Sequence, residues 1–145
     1  MAAPNGAHTW LVLSKAARSV SVRAHESIAK SGLGTTDFAI LEALLHKGPM
    51  PVNAIGKKLL LTSGSITTAV DRLVAKGCVE RTDDPNDRRI RVVELTKEGR
   101  AQIVPAFERH EKDLEQIIAS VLTAAERTTL VDLLRKLGTS AESER

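Results

Sequence analysis

Aromatic side chains are nearly absent from this 145-residue chain, which has one Trp, two Phe and no Tyr. Trp10, Phe38 and Phe107 are too few and too scattered for the stacking platforms that read single-stranded nucleic acid. Cysteine is rarer still. Cys78 stands alone, which excludes an intrachain disulfide and agrees with a reducing compartment. No apolar run approaches the roughly 18 residues of a bilayer span, and Met1 to His8 lack the charged and apolar regions of a secretory signal. A soluble, cytoplasmic protein with no membrane partner is expected.

Catalytic and metal-binding patterns are missing as well. His8, His25, His46 and His110 never fall at i, i+3 or i+4, and no Cys or carboxylate completes a set with them. Ser63-Gly64-Ser65 is not a G-x-S-x-G elbow, and Gly32-x-Gly34 lacks a third glycine and a preceding strand. No catalytic residue, metal or cofactor is therefore assigned. Excess charge is also slight. Lys and Arg total 21 against 18 acidic residues, a net charge of +3, so bulk charge does not argue for a polyanionic partner.

The placement of that charge is more informative. From Lys57 to Arg100 there are ten basic and seven acidic residues, and this surplus equals that of the whole chain. Within this window lies a helix that Thr62 or Ser63 can cap and Gly77 can end. Ile66, Ala69, Val70, Leu73 and Val74 form its apolar face. The opposite face carries Gly64, Ser65, Thr68, Asp71, Arg72 and Ala75, small or hydroxylated apart from one carboxylate and one cation. A solvated face would more often carry Glu and Lys at i, i+4. Small residues let a backbone approach DNA, Ser and Thr bond base edges, and Arg pairs with guanine.

Two short strands follow, Cys78 to Thr82 and Ile90 to Leu95, joined by Asp83-Asp84-Pro85-Asn86-Asp87-Arg88-Arg89. Arg88 and Arg89 stand at the hairpin tip, with Arg91 behind them, where a narrow minor groove attracts cations. Asp83, Asp84 and Asp87 are placed to cap the turn and orient the arginines. The expected fold is mainly α with a small β-hairpin wing (α+β), a winged helix-turn-helix.

Flanking helices complete the pattern. Leu13, Ala17, Val20, Ala24 and Ile28 give a first helix over about 9–30, and Phe38, Leu41, Leu44 and Leu45 a second, closed by Gly48-Pro49. A short third helix runs from about Val52 to Leu60, with Lys57 and Lys58 either near phosphate or in solvent. Thr96 can cap a helix that Pro105 should kink, and Thr123 with Glu126 forms a capping box for a last helix bearing Leu130, Leu133, Leu134 and Leu137. The terminal helices carry more apolar surface than a lone winged helix requires.

The segments TDFAILEALLHKGP, LTSGSITTAVDRLVAKGCVER, DPNDRR and VELTKEGR, taken in order and spacing, resemble the multiple antibiotic resistance regulator (MarR) family of bacterial transcription factors. That resemblance implies one domain over 1–145, with dimerisation helices at 9–31 and 97–138 and a DNA-binding part at 35–96. It also implies a homodimer on a pseudo-palindromic double-stranded operator, released by a small ligand or by oxidation. Carried onto this chain, it marks Ser63, Ser65, Thr67, Thr68 and Arg72 on the helix and Arg88, Arg89 and Arg91 on the wing as DNA-binding. Asp71 and Arg89 match a pair that braces the wing against the helix. His8, Trp10, His25 and His46 match the region of the family's ligand cleft, with surface or interface packing as the other reading. GSIT and DPND resemble members that respond to hydroquinones or related aromatics, which makes a small aromatic the candidate effector. Cys78 occupies a position that is usually apolar in the family, so it reads as core and not as a thiol switch. A winged helix used only for protein contacts is the alternative function; it would not need arginines at the hairpin tip.

Overall fold

The computed structural model describes residues 2–144; Met1 and Arg145, the ends of the expected domain, lie outside the described residues. Helix α1 (Gly6–Ala29) starts earlier than its apolar spacing indicates, because Asn5 caps it, accepting from the His8 N–H at 2.9 Å. Helix α2 (Thr35–Lys47) follows the Ser31-to-Gly34 turn and ends at Gly48, whose φ of 77° lies in the left-handed region. Strand β1 (Met50–Pro51) is a third strand with no counterpart in the sequence reading. Two residues are too short to show a period. Helices α3 (Val52–Lys58) and α4 (Ser63–Ala75), strands β2 (Val79–Asp83) and β3 (Arg91–Leu95), and helices α5 (Lys97–Ala119) and α6 (Ala124–Ser143) complete the order.

The sheet is antiparallel with order β1-β3-β2, so the wing's returning strand lies between its partner and β1. Phe38, Ile40, Leu41 and Leu44 of α2, Ile55 of α3, Ile66, Val70 and Leu73 of α4, Val79, Val93 and Ile103 form one buried core. Val74, expected on the inward face of α4, is partly exposed instead. Cys78 lies in that core, only 1% exposed, and burial pushes its thiol up and away from the reactive thiolate.

A close joint locks the wing onto the helices. The Thr96 hydroxyl donates to the Gly77 carbonyl at 2.6 Å and accepts from the Gly99 N–H at 3.0 Å, while the Thr96 N–H donates to the Cys78 carbonyl at 3.1 Å. A Cβ on Gly99 would lie 1.9 Å from that Cys78 oxygen, so only glycine fits there.

The chain falls into two compact units, one through His110 and the other from Glu111. In the first, His110 is buried, shares a 3.1 Å hydrogen bond with Ser27, and sets its ring edge-on to Phe38. In the second, Thr123 and Glu126 form the expected capping box, and Arg127 makes a forked contact with Glu115. Helix α5 continues through Pro105 as one helix. Among its described residues α6 buries none.

Candidate nucleic-acid interface

Helix α4 is shaped by its cap and its core face. Thr62 accepts from the Ser65 N–H at 3.2 Å and its hydroxyl donates to Ser65 Oγ at 2.9 Å, which fixes the first turn. Ile66, Ala69, Val70 and Leu73 face inward. Ser63, Ser65, Thr67, Thr68 and Arg72 are therefore all exposed, the arrangement expected of a surface meant for a groove. The Thr67 hydroxyl is occupied, donating to the Ser63 carbonyl at 2.8 Å. Between Arg72 and the start of α2 lies an open depression of about 440 Å³, lined by Thr36, Leu61, Gly64, Ser65, Thr68 and Ala69 besides Arg72.

The wing tip is built by its own acids. Asp84 accepts the backbone N–H groups of Asn86 at 2.7 Å and Asp87 at 3.2 Å, closing the turn. Asp87 then takes the Arg89 backbone N–H at 3.0 Å and both Nε and Nη2 of its side chain, at 3.0 and 3.1 Å. These bonds hold the Asp87 carboxyl below its ordinary value. Arg91 pairs across the strands with Asp83 at 3.5 Å and donates to the Arg81 carbonyl at 3.3 Å. Arg88 is exposed, and among the described residues no ion pair is recorded for it.

The brace between wing and helix differs from the expected Asp71–Arg89 pair. Asp71 accepts from Arg81 Nη2 at 2.6 Å, whereas Arg89 is engaged by Asp87. The physical reason is distance along the chain. Asp87 lies two residues from Arg89 and captures it locally, while Arg81 sits on β2, the strand that leaves α4 directly. Arg81 was not singled out in the sequence; its signal was a cation in the first strand after the helix.

A second partnership was also invisible in the spacing. Arg72 Nη2 donates to Asp37 Oδ1 at 2.5 Å and Lys76 Nζ to Asp37 Oδ2 at 3.2 Å. Asp37 is only 4% exposed. Burial alone would push its carboxyl up, but the hydrogen bonds and charges of Arg72 and Lys76 outweigh this and hold it below the usual carboxylate range.

The residues matched to a ligand cleft do not converge within one chain. His8 and Trp10 stand near the start of α1 and His25 near its end, and Trp10 is 67% exposed. Fifteen residues of continuous helix separate Trp10 from His25 by about 22 Å at 1.5 Å per residue. His46 instead packs edge-on against Phe107, with ring centroids 4.5 Å apart. No group of three or more metal-ligating side chains lies together among the described residues.

Residues 31–90 match the sequence model of the MarR family. Over 133 residues the chain is 38% identical to the HTH-type transcriptional regulator MhqR of Bacillus subtilis (strain 168), covering 92% of this chain and 91% of that protein. It is 42% identical over 113 residues to the multiple antibiotic resistance protein MarR of Escherichia coli (strain K12), covering 78% of each. A crystal structure of a mutant E. coli MarR complexed with operator DNA matches the fold with a TM-score of 0.73 at 28% identity, covering 92% of this chain and 99% of that one.

Proposed function

Since the chain belongs to the MarR family and is a DNA-binding transcriptional regulator, we propose that it acts as a homodimeric, ligand-released repressor on a pseudo-palindromic operator. Helix α4 would enter the major groove with Ser63, Ser65, Thr68 and Arg72 toward the bases, and the wing would bring Arg88 to the adjacent minor groove. The observation that carries this reading is the pairing of an exposed, hydroxyl-lined α4 face with an exposed Arg88 that has no ion pair among the described residues. Arg89 and Arg91 reach DNA only by sharing or leaving Asp87 and Asp83. Thr67 supports the helix more than it reads DNA, since its hydroxyl is bonded to Ser63.

Two copies would join through the apolar faces that one copy leaves open, among them Trp10, Leu11 and Val12 on α1 and Leu130, Leu133, Leu134 and Leu137 on α6. A two-fold dimer presents two α4 helices about one DNA turn, roughly 34 Å, apart. A small aromatic molecule is the proposed effector, on the strength of the GSIT and DPND resemblance. Because His8 and Trp10 lie far from His25 along α1, a cleft that used all three would need contributions from both copies. Among the described residues no helix is long and apolar enough to cross a membrane. The cytoplasm is the proposed location, and binding to DNA supports it.

The test is selection from random-sequence duplex DNA, followed by challenge of the complex with small aromatics. Enrichment of a palindrome and its release by an aromatic are expected. A chain that binds no duplex but captures protein would establish the contact module instead.

A further inference from the structure

The stretch from Thr62 to Gly77, which carries α4 and its ends, holds two cations, Arg72 and Lys76. Both are bonded to one carboxylate that comes from another helix. Asp37 lies in the first turn of α2 and is buried, while the Arg72 and Lys76 side chains are 46% and 54% exposed. A buried carboxylate cannot turn to water, so its hold on the two cations persists while surface pairs exchange. Spaced at i, i+4, they approach it from one side of α4. The remaining carboxylate of α4, Asp71, is in turn taken by Arg81. Every charge on the helix is thus committed before any ligand arrives.

We infer that Asp37 is a specificity-determining positioning residue for DNA. It holds the Arg72 guanidinium in one pose beside Ser65 and Thr68, and it withholds Lys76 from phosphates. One Arg72 Nη2 bond goes to Asp37, which leaves the rest of its donor fork available to a base edge. Two mobile cations on α4 would attract any duplex through counterion release. One oriented arginine and one sequestered lysine favour a matched sequence over a random one. This rests on the DNA-facing role of α4 proposed above.

The test uses the full chain with two duplexes, the palindrome it selects and a scrambled version, over a range of salt. Asp37→Asn is expected to tighten binding to the scrambled duplex and steepen its log K against log salt slope by about 1 to 2 per head. It should lower the ratio of selected to scrambled affinity about tenfold. Asp37→Glu should restore most of both values. Should Asp37→Asn fold poorly, Lys76→Ala in the otherwise unaltered chain keeps the test. Its slope is expected to stay unchanged because Lys76 is already withheld, and a slope shallower by about 1 would overturn the proposal. An unchanged ratio and slope in folded Asp37→Asn would overturn it too. If Arg72→Ala still weakens binding in that case, α4 reads DNA without Asp37. If Arg72→Ala also changes nothing, the DNA-facing role of α4 falls with it.

Discussion

Helices α4 and α6 are both amphipathic, yet the chain treats their apolar faces in opposite ways. Helix α4 has Ile66, Ala69, Val70 and Leu73 buried in the core, covered by α2, α3 and the wing strands. Helix α6 is longer and carries Leu130, Leu133, Leu134 and Leu137, with Leu133 59% exposed. The same periodicity therefore describes a helix whose apolar face is buried and one whose apolar face stays exposed. The reader head is finished by a single copy. The terminal helix leaves its leucines exposed, and a second copy is the partner proposed for them.

Substitutions on α6 should have a greater effect than any in the head. Placing Asp at both Leu133 and Leu134 removes two apolar contacts worth about 1.5 to 3 kcal/mol each when buried. Sedimentation should then show the dissociation constant raised by about 100-fold or more, with the secondary structure of the head retained. Unchanged association would remove α6 from the dimer.

Gly99→Ala attacks the other side. Its Cβ would lie 1.9 Å from the Cys78 carbonyl, a backbone atom that cannot swing aside. A loss of about 3 kcal/mol in denaturant unfolding is expected, since either the first turn of α5 or the wing must shift. Stability equal to that of the unaltered chain would show that the joint yields freely.

A smaller effect sharpens how the head is held. The Asp37 carboxyl is below its unfolded value because Arg72 and Lys76 outweigh its burial. Its contribution is fully present above the unfolded carboxylate pKa of about 3.9 and is lost as pH falls through the folded value. Thermal melts should show Asp37→Asn with a shallower decline on acidification below about pH 4 than the unaltered chain. Parallel declines would mean that the pair contributes no net stability.

The smallest change is at Leu60, among the described residues the one non-glycine with a left-handed φ, at 56°, and with a side chain 93% exposed. Leucine there costs about 1 to 2 kcal/mol, and glycine returns part of that as unfolded-chain entropy. Leu60→Gly should stabilise the head by about 0.5 to 1 kcal/mol. A lower melting temperature would mean that the Leu60 side chain makes a stabilising contact.

Local signals carried much of this structure. The α4 cap, its core face apart from Val74, the Gly77 stop, the two wing strands and the Thr123 capping box are all short-range features, and each stands where its spacing places it, strand ends within a residue. The acids of the wing turn cap backbone groups as their positions suggest. What stayed hidden is long-range. Asp37 meets Arg72 across 35 residues, and no periodicity links a carboxylate on one helix to a cation on another. The Asp71 partner was assigned to Arg89 by resemblance, but local capture by Asp87 decides that geometry and leaves Arg81 as the brace. Strand β1 escaped because it exists only through pairing with β3. His110 gave no spacing signal, since its role depends on Ser27 and Phe38 from distant helices.

In the proposed complex α4 enters the major groove while the wing tip reaches the minor groove beside it. Chemical interference on the selected duplex reads both grooves at once. Guanine N7 methylation should block binding within each half-site, with the half-sites about one turn apart, and minor-groove adenine methylation should block it at the flanks. In Arg88→Ala the flank interference should disappear while the half-site interference remains. Binding insensitive to N7 methylation throughout would show that α4 does not enter the major groove.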